Sequence, residues 1–197
     1  MSDYISSLSD PVMCKILSFL QTKEAFSTTI LSRRWRNLCY SLPAMRFEGT
    51  IEDSASNLKF IDFLYSQMIF RDAALPVTDF VFHMIYGGVR FPMLVVQRKV
   101  EHLSLQFSMG RWHKLPNMVL TCKTLVGLKI SCFHIEKNLC TVQLPCLKTL
   151  SLISYCFAKL DDCKMFLSGC PVLKTLVVEN MWYKDSFFAE NNMNAIT

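Results

Sequence analysis

Residues 5–40 read ISSLSDPVMCKILSFLQTKEAFSTTILSRRWRNLCY, and the spacing of their apolar residues decides how the chain begins. Met13, Ile16, Leu17 and Leu20 fall at i, i+3, i+4 and i+7, the stripe that an α-helix buries on one face. Asp10 followed by Pro11 predicts where that helix starts. A side-chain acceptor stands at the N-cap, and a ring with a suitable fixed φ follows it. Thr22 is expected to cap a second, shorter helix through Ala25 and Phe26. Ser32 is expected to cap a third, in which Trp35, Leu38 and Leu42 recur before Pro43 ends it. Phe19, Leu20, Phe26, Ile30, Leu31, Trp35 and Leu38 are more apolar bulk than a unit of about forty residues can bury alone. The surplus requires a partner surface, in this chain or in another protein.

Outward from this stretch the periodicity changes. Leu42, Met45 and Phe47 predict a short strand ended by Gly49. Ile61, Leu64, Tyr65 and Met68 predict a helix from about Ser56 to Arg71, with Pro76 as its breaker. From Val77 onward one pattern recurs, an apolar residue followed three and five positions later by two more. It appears as Val77, Phe80, Phe82, then Val100, Leu103, Leu105, then Leu125, Leu128, Ile130, then Leu147, Leu150, Leu152, and last Leu173, Leu176, Val178. The central residues lie 22 to 26 apart, within the period of leucine-rich repeats. Alternation within each unit is that of a strand, and a unit with one apolar edge must stack on its neighbours. Leu42, Met45 and Phe47 fit the same template and predict an N-terminal edge repeat. Leu160, Cys163, Phe166 and Leu167 predict a return helix with Gly169 at its C′ position. Gly87 and Gly88 read as a turn. Cys122 and Cys170 each precede the first leucine of a repeat by three residues, which predicts a packing role.

Composition bounds the rest. The chain has 197 residues, 51% hydrophobic and 19% charged, with a net charge of +5. That is enough for a sizeable core in one or two domains, and too weakly basic for the stripe of a nucleic-acid binder. Asp3, Asp10 and Lys15 interrupt any signal-like apolar run, and Leu58 to Phe70 is too short to span a bilayer. Nine cysteines at irregular spacing, without a Cys-x-x-Cys pair, read as reduced and mostly buried. The expectation is a protein of the cytoplasm and/or nucleus, with no membrane partner and no cofactor.

The first forty residues also resemble a family, the plant F-box proteins with leucine-rich repeats of the FBD-associated type. Ile5, Leu8, Asp10, Ile16, Leu17, Ser18, Phe19, Leu20, Thr22, Lys23, Ala25, Leu31, Ser32, Arg34, Trp35, Arg36 and Leu38 carry the resemblance. The chain departs from the family at Ser9 and Gln21, where proline is usual, and at Cys39, where tryptophan is common. With about five repeats visible, it resembles a shortened member. The resemblance implies an α/β chain: a three-helix F-box at 1–43, a linking strand and helix at 44–76, and a short leucine-rich-repeat solenoid at 77–197. It further implies a non-enzymatic subunit of an SCF-type cullin–RING ubiquitin ligase, docking on a Skp-family adaptor and presenting an unknown protein substrate. Leu8, Pro11, Met13, Ile16, Leu17, Leu20, Ala25, Leu31 and Trp35 would carry adaptor contact or the packing that shapes it.

On the expected concave face, His83, His102, Ser104, Gln106, Lys129, Ser151 and Glu179 point outward as weak candidates for substrate contact. Met181, Trp182, Tyr183, Phe187 and Phe188, followed by a polar tail, are expected to cap the last repeat. Two other readings stay open. One is a repeat scaffold with a degenerate F-box, motivated by Ser9. The other is nucleic-acid binding led by Arg33, Arg34 and Arg36, residues that otherwise read as a solvated helix face. Cys132 with His134 lacks the ligand count of a zinc site and the ordered base of a thiol enzyme, so no catalytic or metal-ligating residue is expected.

Overall fold

The computed structural model describes residues 4–5, 7–49, 54–72, 74–84, 96, 99–107, 113–134, 142–157 and 160–183. Helices α1 (Asp10–Leu17) and α2 (Thr22–Ser27), a 3₁₀ turn (Thr28–Ile30) and α3 (Arg33–Ser41) build the first unit. Its core is Met13, Leu17, Ala25, Trp35, Leu38, Cys39 and Leu42, with Leu8, Leu20 and Phe26 packed around it.

Two of the three expected caps shift. Ser9, not Asp10, occupies the N-cap of α1, so Asp10 and Pro11 are its first two helical residues. Asp10 is engaged elsewhere: its carboxylate meets the Arg34 guanidinium at 2.6 Å. Gln21 occupies the N-cap of α2, where its N–H donates to the Glu24 carboxylate at 3.0 Å. Ser32 does cap α3, accepting from the Trp35 N–H at 3.4 Å.

Strand β1 (Ala44–Gly49) follows, then the long helix α4 (Ser54–Phe70). Next come β2 (Asp79–Met84), β3 (His102–Phe107), β4 (His113–Lys114), α5 (Asn117–Leu120), β5 (Gly127–Ser131) and β6 (Phe133–His134). The last are β7 (Thr149–Phe157), α6 (Leu160–Ser168) and β8 (Thr175–Tyr183). All the strand pairings among the described residues are parallel, and the main ladder runs β1-β2-β3-β5-β7-β8.

Its register is the sequence repeat made visible. Met45, Phe80, Leu103, Leu128, Leu150 and Leu176 stand side by side, as do Phe47, Phe82, Leu105, Ile130, Leu152 and Val178. Val77, Val100, Leu125 and Leu147, the leading residues of the first four units, are fully buried, and Leu173 of the fifth is partly buried. Equivalent residues on successive strands thus stack into apolar columns, which no single unit could bury alone. Leu176 and Val178 keep the register but remain 44% and 42% exposed, because β8 is paired on one side only among the described residues.

Helix α4 is more than a link. Leu64 and Met68 are buried in the ladder's core, and Phe60 and Phe63 set their rings edge-on to Phe47 at 6.1 Å. The first strand is therefore covered from the start. The expected return helix forms as α6, but Gly169 is not left-handed. It is required by close approach instead, since a Cβ there would stand 2.3 Å from the Val142 carbonyl oxygen.

One feature was not anticipated. Cys132, Ser154 and Asn180 follow equivalent ladder positions, and each holds a positive φ, of 62°, 46° and 52°. The chain bends there and resumes as a second parallel ladder, β4-β6-β7, with β8 paired on β7. Inside that second ladder His113 stacks on Phe107 at 3.9 Å. Gly87, Gly88, Phe187, Phe188 and the polar tail lie outside the described residues, and Met181–Tyr183 enters only as backbone of β8.

Candidate functional site

Helix α1 is apolar on two faces. Met13 and Leu17 point into the unit's core, with Leu20 beside them. Val12, Ile16 and Phe19, again at helical spacing, point the other way and are exposed, Phe19 by 71%. The stripe expected from sequence therefore splits, with Ile16 leaving the buried set. Beyond α2, the 3₁₀ turn presents Ile30, 85% exposed, and Leu31, 63% exposed. Lys15 lies over the Phe19 ring at 5.0 Å and covers part of it.

The nine residues expected at an adaptor face consequently divide. Pro11, Ile16 and Leu31 are exposed, and Leu8 and Leu20 are half-buried. Met13, Leu17, Ala25 and Trp35 are buried and shape this surface from beneath. Sequence reasoning left out Val12, Phe19 and Ile30 from that set. The signal for Val12 was its i+4 spacing to Ile16.

The arginine cluster is partly committed within the chain. Arg34 donates through Nε to Asp10 at 2.8 Å and through Nη2 to the Leu8 carbonyl at 2.5 Å. This ties the first turn of α3 to the entry of α1 and offsets the cost of cations near a helix N-terminus. Among the described residues, no group of three or more His, Cys, Asp or Glu could hold a metal ion. Burial pushes the thiols of Cys39 and Cys163 up, and that of Cys170 up to about 11, away from thiolate chemistry. No described helix is long and apolar enough to cross a membrane.

The helical unit is joined closely to the ladder. The Thr22 hydroxyl accepts from the Arg46 N–H of β1 at 2.8 Å. Buried Arg71, just past α4, donates to the Leu42 carbonyl and, at 2.8 Å, to the Pro76 carbonyl. Phe26 contacts both Tyr40, at 5.0 Å, and Phe63 of α4, at 6.4 Å.

Comparison with known proteins gives the family. The F-box domain model matches residues 5–46, and the model for the leucine-rich repeats of an FBD-associated F-box protein matches residues 90–187. The chain belongs to the F-box/leucine-rich-repeat proteins. It is 33% identical to F-box/LRR-repeat protein 13 of Arabidopsis thaliana, over 90% of this chain and 41% of that one. To F-box/LRR-repeat protein At3g58980 of the same plant it is 34% identical, over 91% and 32%. To FBD-associated F-box protein At5g60610, also from Arabidopsis thaliana, it is 32% identical, over 90% and 46%. The chain thus spans less than half the length of these relatives. No solved structure matches it.

On the repeat side of this F-box/leucine-rich-repeat chain, a trough of about 260 Å³ opens on the ladder's outward face. His102, Ser104, Lys129 and Ser151, four of the expected contact residues, line it together with Arg46 and Asp79. His83, Gln106 and Glu179 stand one register row further on. Arg46 was missed, although its place between Met45 and Phe47 on the edge repeat marked it as outward-facing.

Proposed function

We propose that this chain is the target-recognising subunit of an SCF-type cullin–RING ubiquitin ligase. Its three N-terminal helices are the F-box, spanning 1–43 and docking on a Skp-family adaptor. The strand and helix of 44–76 join them to a short leucine-rich-repeat solenoid at 77–197, which holds the target protein. Such a chain does no chemistry; it raises the effective concentration of its target near the ubiquitin-transfer machinery. It would work in the cytoplasm and/or nucleus.

One observation carries the reading. The helical unit has closed its own core and still leaves Val12, Ile16, Phe19, Ile30 and Leu31 open to solvent. So many exposed large apolar side chains on one small helical unit mark a protein interface. Burying a methylene there is worth about 0.8 kcal/mol, so a few such side chains suffice for a stable complex.

Co-purification of the intact chain with a Skp-family adaptor tests the proposal. Ile16→Asp combined with Leu31→Asp should lower adaptor affinity by tenfold or more, with the fold unchanged by circular dichroism. Leu17 is unsuited to this experiment because it is 1% exposed and its truncation would unfold the unit. Failure of the folded wild-type chain to retain any adaptor would overturn the ligase reading in favour of a repeat scaffold.

A further inference from the structure

The trough on the ladder has a charge pattern that selects its occupant. Its middle row, read across the strands by register, is Arg46, Val81, Ser104, Lys129, Ser151 and Val177. Arg46 and Lys129 are both exposed, and neither forms an ion pair or side-chain hydrogen bond with a described residue. Between and beside them the row offers small hydroxyl side chains, which donate hydrogen bonds without filling the space. The floor is kept low by Gly127, where a Cβ would stand 2.7 Å from His102 Nδ1 and 3.0 Å from Thr149 Oγ1. The His102 ring accordingly lies across β5. One carboxylate lines the trough, Asp79, and the Thr78 hydroxyl donates to it at 2.7 Å. Glu48 and Glu179 occupy the next row, on strands far apart in the ladder.

We infer that this trough binds an extended acidic segment of the recruited protein, with one carboxylate on Arg46 and another on Lys129. The inference rests on the reading of the ladder as the part that holds the target. Three strand spacings separate the two cations, or about 14 Å at 4.7–4.9 Å each. An extended peptide rises about 3.3 Å per residue, so acidic side chains about four positions apart match that span. The bound segment therefore crosses the strands, and the serines and His102 meet its backbone and side-chain oxygens.

Fluorescence anisotropy with the intact chain tests this, using labelled Gly/Ser peptides as probes. One peptide carries two glutamates about four positions apart; a second carries glutamine at both places. At low salt the glutamate peptide should bind at least tenfold more tightly than its glutamine counterpart, with the difference shrinking as salt rises. Arg46→Gln and Lys129→Gln should each weaken it several-fold, and the double variant should bind both peptides alike. Equal binding of the two peptides by the wild-type chain would overturn the inference. So would a double variant that still prefers glutamate. Adaptor co-purification on the same samples separates the two readings. A chain that captures adaptor but ignores the acidic peptide overturns the trough assignment alone. One that binds the peptide but no adaptor overturns the ligase reading alone.

Discussion

At Thr22 a hydroxyl that reads in sequence as a helix cap serves instead as a tie between two units. It is 5% exposed and accepts the Arg46 N–H, which an apolar replacement would leave without its partner. Thr22→Val keeps the shape and should cost about 1 kcal/mol, the net worth of the lost, part-buried hydrogen bond. Thr22→Ser should recover most of it. Urea unfolding of the two variants checks this, and equal stabilities would sink the assignment. His113 makes a second case. Burial against Phe107, and then the charge of His134, hold its pKa below the ordinary 6.5. The unfolded chain therefore binds a proton more readily than the folded one. Stability is full above pH 6.5 and falls as the pH drops through the folded value. His113→Phe should flatten this slope between neutral pH and mild acid while preserving the ring stack. Thermal melts that keep the wild-type slope would assign the dependence to other groups.

Among the elements, position in the ladder sets what a leucine contributes. Leu128 and Leu176 occupy the same register row, yet one is 2% exposed and the other 44%. Leu128→Ala leaves a cavity between strands on both sides and should cost about 2–5 kcal/mol. Leu176→Ala lies on a strand paired on one side and should cost about 1 kcal/mol or less, in keeping with its partial exposure. Similar losses at both sites would mean that β8 is covered in solution. That contrast also shows what could be read in advance. The triplets from Val77 to Val178 were legible because inward residues alternate strictly and repeat at one period. The bends at Cys132 and Ser154 were not, since a left-handed cysteine or serine leaves no compositional mark of the kind glycine or asparagine leaves. Helix α1 shows the same limit on the candidate site. Met13 and Ile16 are equally apolar, and only the direction from which α3 packs decides that Met13 is buried while Ile16 is exposed.

For the whole molecule, what matters is the junction at which two apolar cores, one helical and one in the ladder, meet. Arg71 sits at their junction, 4% exposed, and its guanidinium donates to the carbonyls of Leu42, where the helical unit ends, and Pro76, where the ladder's second strand is approached. Hydrogen bonds from a charged donor in such a place are worth about 1.5–3 kcal/mol each. A rigid junction is also what the proposed role requires, because a target held on the ladder gains effective concentration at the ligase only if its position relative to the adaptor is restricted. Arg71→Leu keeps bulk but leaves both carbonyls without this donor, and should loosen the junction before it melts either core. Hydrogen exchange is the suitable measurement. In the variant, amides of α1 to α3 and β1 should exchange faster by tenfold or more, while those of β3, β5 and β7 keep their protection. A uniform loss across both units would mean that Arg71 supports a single shared core; no change at all would mean that the aromatic contacts of Phe26 with Phe63 and Tyr40 with Phe70 hold the junction without it.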